Sequence, residues 1–261
     1  MNFDFELNGD EGPIMLLLPG SYSHSVAWRG IISCLEGNYR TVATSLPGYG
    51  GSQERRQDNV SGMKEMVEFV SDVSRKLGEP FHLVGHSFGG LTALATTIAE
   101  PLPVLSLVTF EGNPILTDMG RVCGWQTVLD DVYDQFENAV LSGNPDAAGI
   151  VINYWSKPGV FESLPEPVKE YCRSTAYTNL LDWRSAMGFN PVLSDYGLIT
   201  VPTTIVRGEH ANRAMIELCD GIVDHVPKAQ LEVVPGSNHF LISTHPAECA
   251  AIIDRHMAGL N

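Results

Sequence analysis

The stretch FHLVGHSFGG at residues 81–90 decides the fold of this chain. Residues 81–84 are typical of a buried strand, and they run directly into a serine between two glycines, Gly85-His86-Ser87-Phe88-Gly89. A serine on a sharp turn between a strand and a helix adopts strained backbone dihedrals, and its neighbours must be small so that the two elements can pass close together. Because such strain costs stability, the pattern indicates that Ser87 is a nucleophile.

Short apolar runs recur on both sides of this turn and alternate with longer amphipathic stretches. The apolar runs predict strands at residues 14–18, 40–44, 81–84, 105–110, 203–206 and 231–234. The amphipathic stretches predict helices at residues 26–35, 60–77, 91–99, 214–223 and 246–257. Strands that are apolar almost throughout are buried on both faces, as in a parallel sheet. We therefore expect an α/β protein with a doubly wound, mostly parallel sheet and ligand chemistry at the carboxyl ends of its strands.

Residues 114–196 interrupt this alternation, because they contain no convincing strand. Helical patterns occur there at residues 128–141, 147–154 and 168–181. We predict an inserted helical cap or lid at 114–196, above a core formed by residues 1–113 and 197–261. Most of its aromatic side chains should pack the cap onto the core, and a few should line a pocket. These aromatic residues are Trp125, Tyr133, Phe136, Tyr154, Trp155, Phe161, Tyr171, Tyr177, Trp183 and Phe189.

Composition restricts the class of protein and its partners. The chain has 261 residues, 44% of them hydrophobic, which is enough for one large core. Its formal net charge of −15 repels nucleic acids and anionic membranes, so we expect neither as a partner. Five cysteines without a C-x-x-C pair argue against a disulfide framework and a zinc site. The acidic N-terminus and the short apolar runs predict a cytoplasmic, soluble protein. We expect a monomer or homodimer that acts on a small-molecule substrate without a cofactor.

A nucleophilic serine needs an imidazole to take its proton and a carboxylate to fix the imidazole tautomer. The segment PGSNHF at 235–240 follows the last predicted strand and precedes the last helix, so it predicts a loop that carries His239 toward Ser87. His86 is a weaker candidate, because neighbouring side chains in so tight a turn point in different directions. His24 follows the first predicted strand and is a candidate for substrate contact.

Four motifs in register resemble the α/β-hydrolase family over nearly the whole chain. They are LLPG at 17–20, LPGYGGS at 46–52, GHSFGG at 85–90 and GSNHF at 236–240. The second is similar to the D-x-x-G-x-G-x-S loop of that family, with Ser45 where aspartate is frequent. The resemblance implies a serine esterase or lipase-like hydrolase with a helical cap.

The resemblance also implies an oxyanion hole. One donor would be the backbone N–H of Phe88, and the other the N–H of Ser21, with Tyr22 as the alternative. The residues expected to contact the substrate are Tyr22, His24, Trp155, Trp183 and Phe240.

The acid of the triad departs from the common family pattern. Relatives usually carry an aspartate about three residues after the glycine that ends the penultimate strand, and here that position is Ala211, followed by the uncharged Asn212. We predict that Glu111, at the end of the strand after the elbow helix, supplies the carboxylate, as in some family members. Glu209 is the alternative. The chain order Ser87, Glu111, His239 is that of the family.

These residues predict a serine hydrolase that cleaves a small-to-medium, largely apolar carboxylic ester, thioester or lactone through an acyl-enzyme. Serine at position 87, where epoxide hydrolases and dehalogenases need an aspartate, argues against both of those reactions. A carbon–carbon bond hydrolase or a cofactor-free dioxygenase, with His239 as a base on the substrate, remains the alternative. A non-catalytic ligand-binding protein is the third hypothesis, since the acid is missing at Ala211.

Overall fold

The computed structural model describes residues 3–99, 101–112 and 124–260 and contains a seven-stranded sheet in the order β1-β3-β2-β4-β5-β6-β7. Its strands are β1 (Phe5–Asn8), β2 (Ile14–Leu18), β3 (Arg40–Thr44), β4 (Phe81–His86), β5 (Val104–Phe110), β6 (Thr203–Gly208) and β7 (Ala229–Val234). All neighbours pair in parallel except β1, which pairs antiparallel with β3. The prediction of a doubly wound, mostly parallel sheet is confirmed, and each predicted strand is present. Sequence analysis missed β1, a short and mostly exposed edge strand without an apolar run.

Helices cover both faces of this sheet and fill the region between β5 and β6. They are α1 (Arg29–Ile32), α2 (Lys64–Leu77), α3 (Phe88–Ala99), α4 (Gln126–Leu141), α5 (Ala148–Trp155), α6 (Val160–Ser163), α7 (Glu166–Ser174), α8 (Ala176–Gly188), α9 (Arg213–Val223), α10 (Leu241–Thr244) and α11 (Pro246–Ala258). The helix predicted at 26–35 is shorter, because the 3₁₀ turn Ser25–Trp28 takes its first part.

Side chains of the central strands alternate between two apolar layers. In β2, Leu16 and Leu18 pack into the larger cluster with residues of α2, α3 and α9. Met15 and Leu17 point to the opposite face and pack with Ile253 of α11. Successive side chains of a strand point to opposite faces, so a strand covered on both sides must be apolar throughout. This two-sided burial explains the continuous apolar runs from which the strands were predicted.

The described part of the segment between β5 and β6 contains helices and no strand. Residues 114–123 of the predicted cap lie outside the described residues, and α4 to α8 follow them. The single helix predicted at 168–181 is two helices, α7 and α8, separated at Thr175. The Thr175 hydroxyl donates to the Tyr171 carbonyl at 2.7 Å, and a threonine that bonds back to the preceding turn weakens helical continuity. Within the described ranges, no helix is long and apolar enough to cross a bilayer.

The loop after β3 is held by a carboxylate from outside its own motif. Ser45 stands where aspartate is frequent, and Asp4, just before β1, accepts hydrogen bonds from the backbone N–H groups of Ser45 (3.0 Å) and Gly51 (2.8 Å). The hydroxyl of Ser52 donates to the same carboxylate at 3.3 Å. Burial raises the pKa of Asp4, but the hydrogen bonds from Gly51, Ser45 and Ser52 outweigh it and the net pKa shift is downward. Asp4 thus supplies a carboxylate to a loop whose own motif has none at position 45.

Replacing Asp4 with asparagine should lower the free energy of unfolding at pH 7 by about 1 kcal/mol, because charge-assisted hydrogen bonds are lost at a partly buried site. Since the folded pKa of Asp4 is depressed, its contribution is present above the unfolded pKa of 3.8 and disappears as the pH falls through the folded value. Urea denaturation should therefore show a difference between wild type and Asp4→Asn that shrinks below about pH 4. Asp10→Asn, at an exposed carboxylate, is the control and should change stability by less than about 0.5 kcal/mol.

Candidate active site

Ser87 lies on a tight turn whose close packing requires glycine at position 89. β4 ends at His86 and α3 begins at Phe88, so Ser87 alone joins them, with φ of 52°. A Cβ on Gly89 would lie 2.3 Å from the carbonyl oxygens of Leu18 and Pro19, well inside van der Waals contact. The strained conformation is therefore imposed by close packing of α3 against the end of β2.

The three residues predicted as a triad form one continuous hydrogen-bonded chain. Ser87 Oγ lies 2.9 Å from His239 Nε2, and His239 Nδ1 lies 2.7 Å from Glu111 Oε2. All three residues are buried: Ser87 is 9% exposed, His239 6% and Glu111 0%. With Nδ1–H donating to the carboxylate, Nε2 is left as the acceptor for the serine proton.

Glu111 reaches His239 because of the backbone that carries it. It directly follows β5 and has φ of 47°, a left-handed conformation that is uncommon for any residue but glycine. Its N–H donates to the Val206 carbonyl at 2.8 Å, and its Oε1 accepts the Gly208 N–H at 2.7 Å. Two contacts to β6 therefore aim the second oxygen, Oε2, at His239.

Glu209, the alternative acid, is engaged elsewhere. Its side chain is exposed, and its carboxylate accepts the Gly236 N–H at 2.8 Å. That contact supports the loop that carries His239 without touching the imidazole. Of the two acids considered from the sequence, the structure brings Glu111 to His239 and leaves Glu209 outside the chain.

The His239 loop is shaped by its own polar residues and by His86. Asn238 Oδ1 accepts the Phe240 N–H at 3.0 Å, an Asx turn that presents His239 before α10. His86 Nε2 donates to the His239 carbonyl at 2.9 Å. Burial, with the neighbouring His239, lowers the pKa of His86 to about 3, so its ring is neutral at pH 7. His86 thus bonds the backbone of His239, a contact that the sequence pattern did not predict.

The two expected oxyanion donors lie beside Ser87. Phe88 is the first residue of α3, where backbone N–H groups have no partner one turn earlier and form the positive end of the helix dipole. Ser21 follows Gly20, whose Cβ, if present, would lie 2.9 Å from Ser87 Cβ. The loop after β2 is thus packed directly against the nucleophile.

A buried polar cluster anchors that loop. The Asp182 carboxylate of α8 accepts from Ser21 Oγ (2.5 Å), Tyr49 OH (2.6 Å) and the Arg56 guanidinium (2.5 Å). Burial raises the pKa of the Asp182 carboxyl, and the Arg56 charge and these hydrogen bonds offset only part of the rise. Burial lowers the pKa of Arg56, but Asp182 and Glu54 outweigh it and the net shift is upward. Sequence analysis missed this cluster, since its members come from separate stretches of the chain and share no motif.

Ser87 and His239 open into a cavity of about 450 Å³ between the sheet edge and the helices that follow β5. Four of the five predicted contact residues line it: Tyr22, Trp155, Trp183 and Phe240. His24 is not among the residues that line the cavity, and its ring packs edge-on against Tyr171 with the ring centres 5.6 Å apart. The remaining wall is mostly apolar, with Val151, Ile152, Val160, Leu164, Val168 and Ala186.

Trp155 packs against the triad, with its ring centre 5.8 Å from that of His239. Trp155, Trp183 and Tyr133 form a row of rings. The ring centres of Trp155 and Trp183 are 6.2 Å apart, and those of Trp183 and Tyr133 are 6.1 Å apart. The imidazole therefore has an aromatic wall on its cavity side. No three His, Cys, Asp or Glu side chains in the described ranges come together as a metal site would require.

Comparison with known sequences agrees with this geometry. A profile of the alpha/beta hydrolase family matches residues 15–252. A pimeloyl-[acyl-carrier protein] methyl ester esterase from Nitrosomonas europaea is 20% identical, covering 93% of this chain and 95% of that protein. A fluoroacetate dehalogenase from Burkholderia sp is 27% identical, covering 72% of this chain and 63% of that protein.

Solved structures show the same fold. MenH from S. aureus superposes with a TM-score of 0.80 at 17% identity, covering 99% of this chain and 98% of that chain. The enzyme MGS-M2 from a Medee basin deep-sea metagenome library has a TM-score of 0.81 at 18% identity, covering 98% and 94%. At such low identity these likenesses concern the fold and not the reaction.

Substituting Glu111 with glutamine should slow the labelling of Ser87 by a fluorophosphonate probe by about 10²–10⁴-fold, because an amide N–H facing Nδ1 favours the wrong imidazole tautomer. Glu209→Gln is the matched control, since it removes one charge from the same region without touching His239. The measurement is the pseudo-first-order labelling rate. The assignment of Glu111 fails if Glu209→Gln abolishes labelling and Glu111→Gln does not.

Proposed function

Because this chain belongs to the alpha/beta hydrolase family, we propose that it is a serine hydrolase that cleaves a small-to-medium, largely apolar carboxylic ester, thioester or lactone. The observation behind this proposal is the hydrogen-bonded chain from Ser87 through His239 to Glu111. Its Ser87 end lies in the wall of a mostly apolar cavity. A serine hydroxyl is a poor nucleophile at neutral pH unless a positioned base takes its proton. This arrangement supplies both the base and the group that orients it.

The reaction follows from the atoms in contact. His239 Nε2 takes the proton of Ser87 Oγ as the oxygen attacks the substrate carbonyl carbon, and the backbone N–H groups of Phe88 and Ser21 stabilise the oxyanion that develops. Glu111 stabilises the imidazolium through Nδ1. His239 then protonates the leaving alcohol or thiol, which leaves an acyl group on Ser87. Water, deprotonated by His239, releases the acid and restores the serine.

The cavity supports an apolar substrate of modest size. Its volume of about 450 Å³ lies within the range typical of small-molecule sites, and aliphatic and aromatic side chains form most of its wall. Among the relatives, an esterase acting on a methyl ester is consistent with ester cleavage. Similarity to a dehalogenase does not extend the proposal to dehalogenation, because displacement of a halide needs a carboxylate nucleophile where this chain has Ser87.

Ser87→Ala should reduce kcat toward p-nitrophenyl esters by about 10³–10⁶-fold, because the acyl-enzyme cannot form. The substrates are p-nitrophenyl acetate, butyrate, hexanoate and octanoate, and p-nitrophenol release is the measurement. Ser33→Ala is the control, since among the described residues its hydroxyl bonds only the local Gly30 carbonyl at 2.8 Å and the Cys34 thiol. His239→Ala should lose a similar factor.

Two outcomes contradict ester hydrolysis. Turnover that survives in Ser87→Ala but not in His239→Ala would indicate base-driven chemistry, and oxygen uptake or cleavage of aryl diketones would then distinguish a dioxygenase from a carbon–carbon hydrolase. Absence of any fluorophosphonate adduct on Ser87 in the wild type would indicate a binding protein.

A further inference from the structure

The loop between β6 and α9 lacks the acid expected there, with Ala211 and the uncharged Asn212 in its place. Glu111 supplies the carboxylate that His239 contacts, so the triad needs no acid from this loop. Asn212 is nevertheless half-buried, and both polar atoms of its side chain make hydrogen bonds. An ordered amide at this place, close to the sheet edge that carries the triad, calls for a physical explanation.

The two contacts of Asn212 use both atoms of its amide. Oδ1 accepts the Ala214 N–H at 2.9 Å, which caps the first turn of α9, and Nδ2 donates to the Tyr154 carbonyl at 2.9 Å. An N–H group needs an acceptor and a carbonyl needs a donor, so both contacts fix the same orientation of the amide. An aspartate could make the first contact but not the second. The side chain thus joins the start of α9 to the end of α5.

The Tyr154 carbonyl is a group that a helix by itself leaves without a partner. α5 ends at Trp155, and the last four C=O groups of an α-helix have no intrahelical N–H to accept. Among these groups, the Ile152 carbonyl accepts the Ser156 N–H at 3.2 Å, and the Tyr154 carbonyl accepts from Asn212. The amide therefore acts as a C-terminal cap that is supplied by a different part of the chain.

This contact reaches Trp155 through one rigid unit. The Tyr154 carbonyl belongs to the peptide bond between Tyr154 and Trp155, and a peptide unit is planar. A hydrogen bond that holds the carbonyl therefore also sets the position of the Trp155 Cα. Trp155 lines the cavity, and its ring centre lies 5.8 Å from that of His239 and 6.2 Å from that of Trp183. The placement of this indole decides the shape of the cavity beside the imidazole.

Asn212 belongs to the fixed side of the contact. It caps α9, and the buried face of α9 packs into the larger apolar cluster of the sheet, where close packing restricts movement. That face consists of Ala214, Met215, Leu218, Cys219 and Ile222. The Asp182 carboxylate holds α8 to the loops after β2 and β3, whereas Asn212 holds α5 to the loop after β6. The second attachment is the one that leads directly to Trp155.

We propose that Asn212 is a positioning residue for substrate specificity: it holds the end of α5 so that the Trp155 indole forms the cavity wall beside His239. The proposal rests on the proposed ester hydrolysis and deepens it, because a wall in that place favours esters whose apolar group packs against the indole. The hydrogen bonds of Asn212 in the described residues do not reach the triad. Its loss should therefore weaken substrate binding more than the chemical step.

Circular dichroism tests the placement of Trp155 without any turnover. Two indole rings 6.2 Å apart couple their electronic transitions, so the spectrum of wild type minus that of Trp155→Leu reports how Trp155 lies against Trp183. Asn212→Ser keeps an oxygen for the Ala214 N–H, since serine caps helices about as well as asparagine. Its hydroxyl ends one bond nearer the backbone than the amide nitrogen and leaves the Tyr154 carbonyl unbonded. Most of the difference signal should be lost in Asn212→Ser.

Asn144→Ser is the matched control for this measurement. Asn144 is exposed in the turn before α5, where its Oδ1 accepts the Asp146 N–H at 3.0 Å, a contact that serine can replace. The difference signal should persist in this variant. Retention of the signal in Asn212→Ser, or its loss in both variants, overturns the positioning of Trp155 by Asn212.

A double-mutant cycle with Trp155→Leu shows whether Asn212 acts through that ring. With p-nitrophenyl hexanoate, Asn212→Ser should lower kcat/KM about 10-fold in wild type, mainly through a higher KM, and less than about 2-fold in Trp155→Leu. An equal loss in both backgrounds, or a loss in kcat alone, overturns the proposal because the amide then acts elsewhere. A Trp155→Leu enzyme with the kcat/KM of wild type also overturns it, because the indole then selects no substrate.

The two measurements keep this proposal distinct from the proposed function. If no ester is hydrolysed but the signal is lost in Asn212→Ser alone, ester hydrolysis is wrong and the positioning of Trp155 by Asn212 stands. If esters are hydrolysed and the signal persists in Asn212→Ser, the positioning is wrong and the hydrolase proposal stands.

Discussion

The close approach of three backbone segments around Ser87 is the constraint on which the rest of this molecule depends. α3 can pack on the end of β2 only if residue 89 has no side chain, and the loop after β2 can reach the nucleophile only if residue 20 has none. Within that contact the serine is forced to φ of 52°. The cost in backbone strain is offset by the two-sided burial of the central strands, whose apolar layers hold the elbow in place.

Parallel strands make the remaining site possible, because their carboxyl ends meet at one edge of the sheet. β5 and β6 are hydrogen-bonded neighbours, with Phe110 beside Val206, so the residue after β5 lies next to the end of β6. A carboxylate at Glu111 can therefore face His239 as readily as one from the loop after β6, since adjacent strands lie only about 4.8 Å apart. Ala211 at the usual position of the acid is for this reason compatible with a complete hydrogen-bonded chain.

The Asp182 cluster joins parts of the chain that the sheet does not connect. Through one carboxylate, α8 is linked to the loop after β2 by Ser21 and to the loop after β3 by Tyr49 and Arg56. A buried ion pair contributes little net stability, because desolvation opposes the Coulomb attraction, but it specifies one geometry. The cluster therefore fixes the loop after β2 relative to α8, beside a cavity wall that is mostly apolar.

Patterns local in the chain were enough to determine the parallel sheet, the elbow at Ser87, the loop that presents His239 and a short choice of acids. They succeed because strand burial, helical periodicity and the glycine requirement of a tight turn are all properties of neighbouring residues. Only the tertiary structure shows that Glu111, and not Glu209, contacts His239. It also shows that His24 packs against Tyr171 and does not line the cavity, and that the helix predicted at 168–181 is divided at Thr175. The contact of Asp4 with the loop after β3 likewise appears only in the folded structure. Those outcomes depend on where side chains from distant segments point, and hydrogen bonds between residues as far apart as 49 and 182 leave no periodic trace in the sequence.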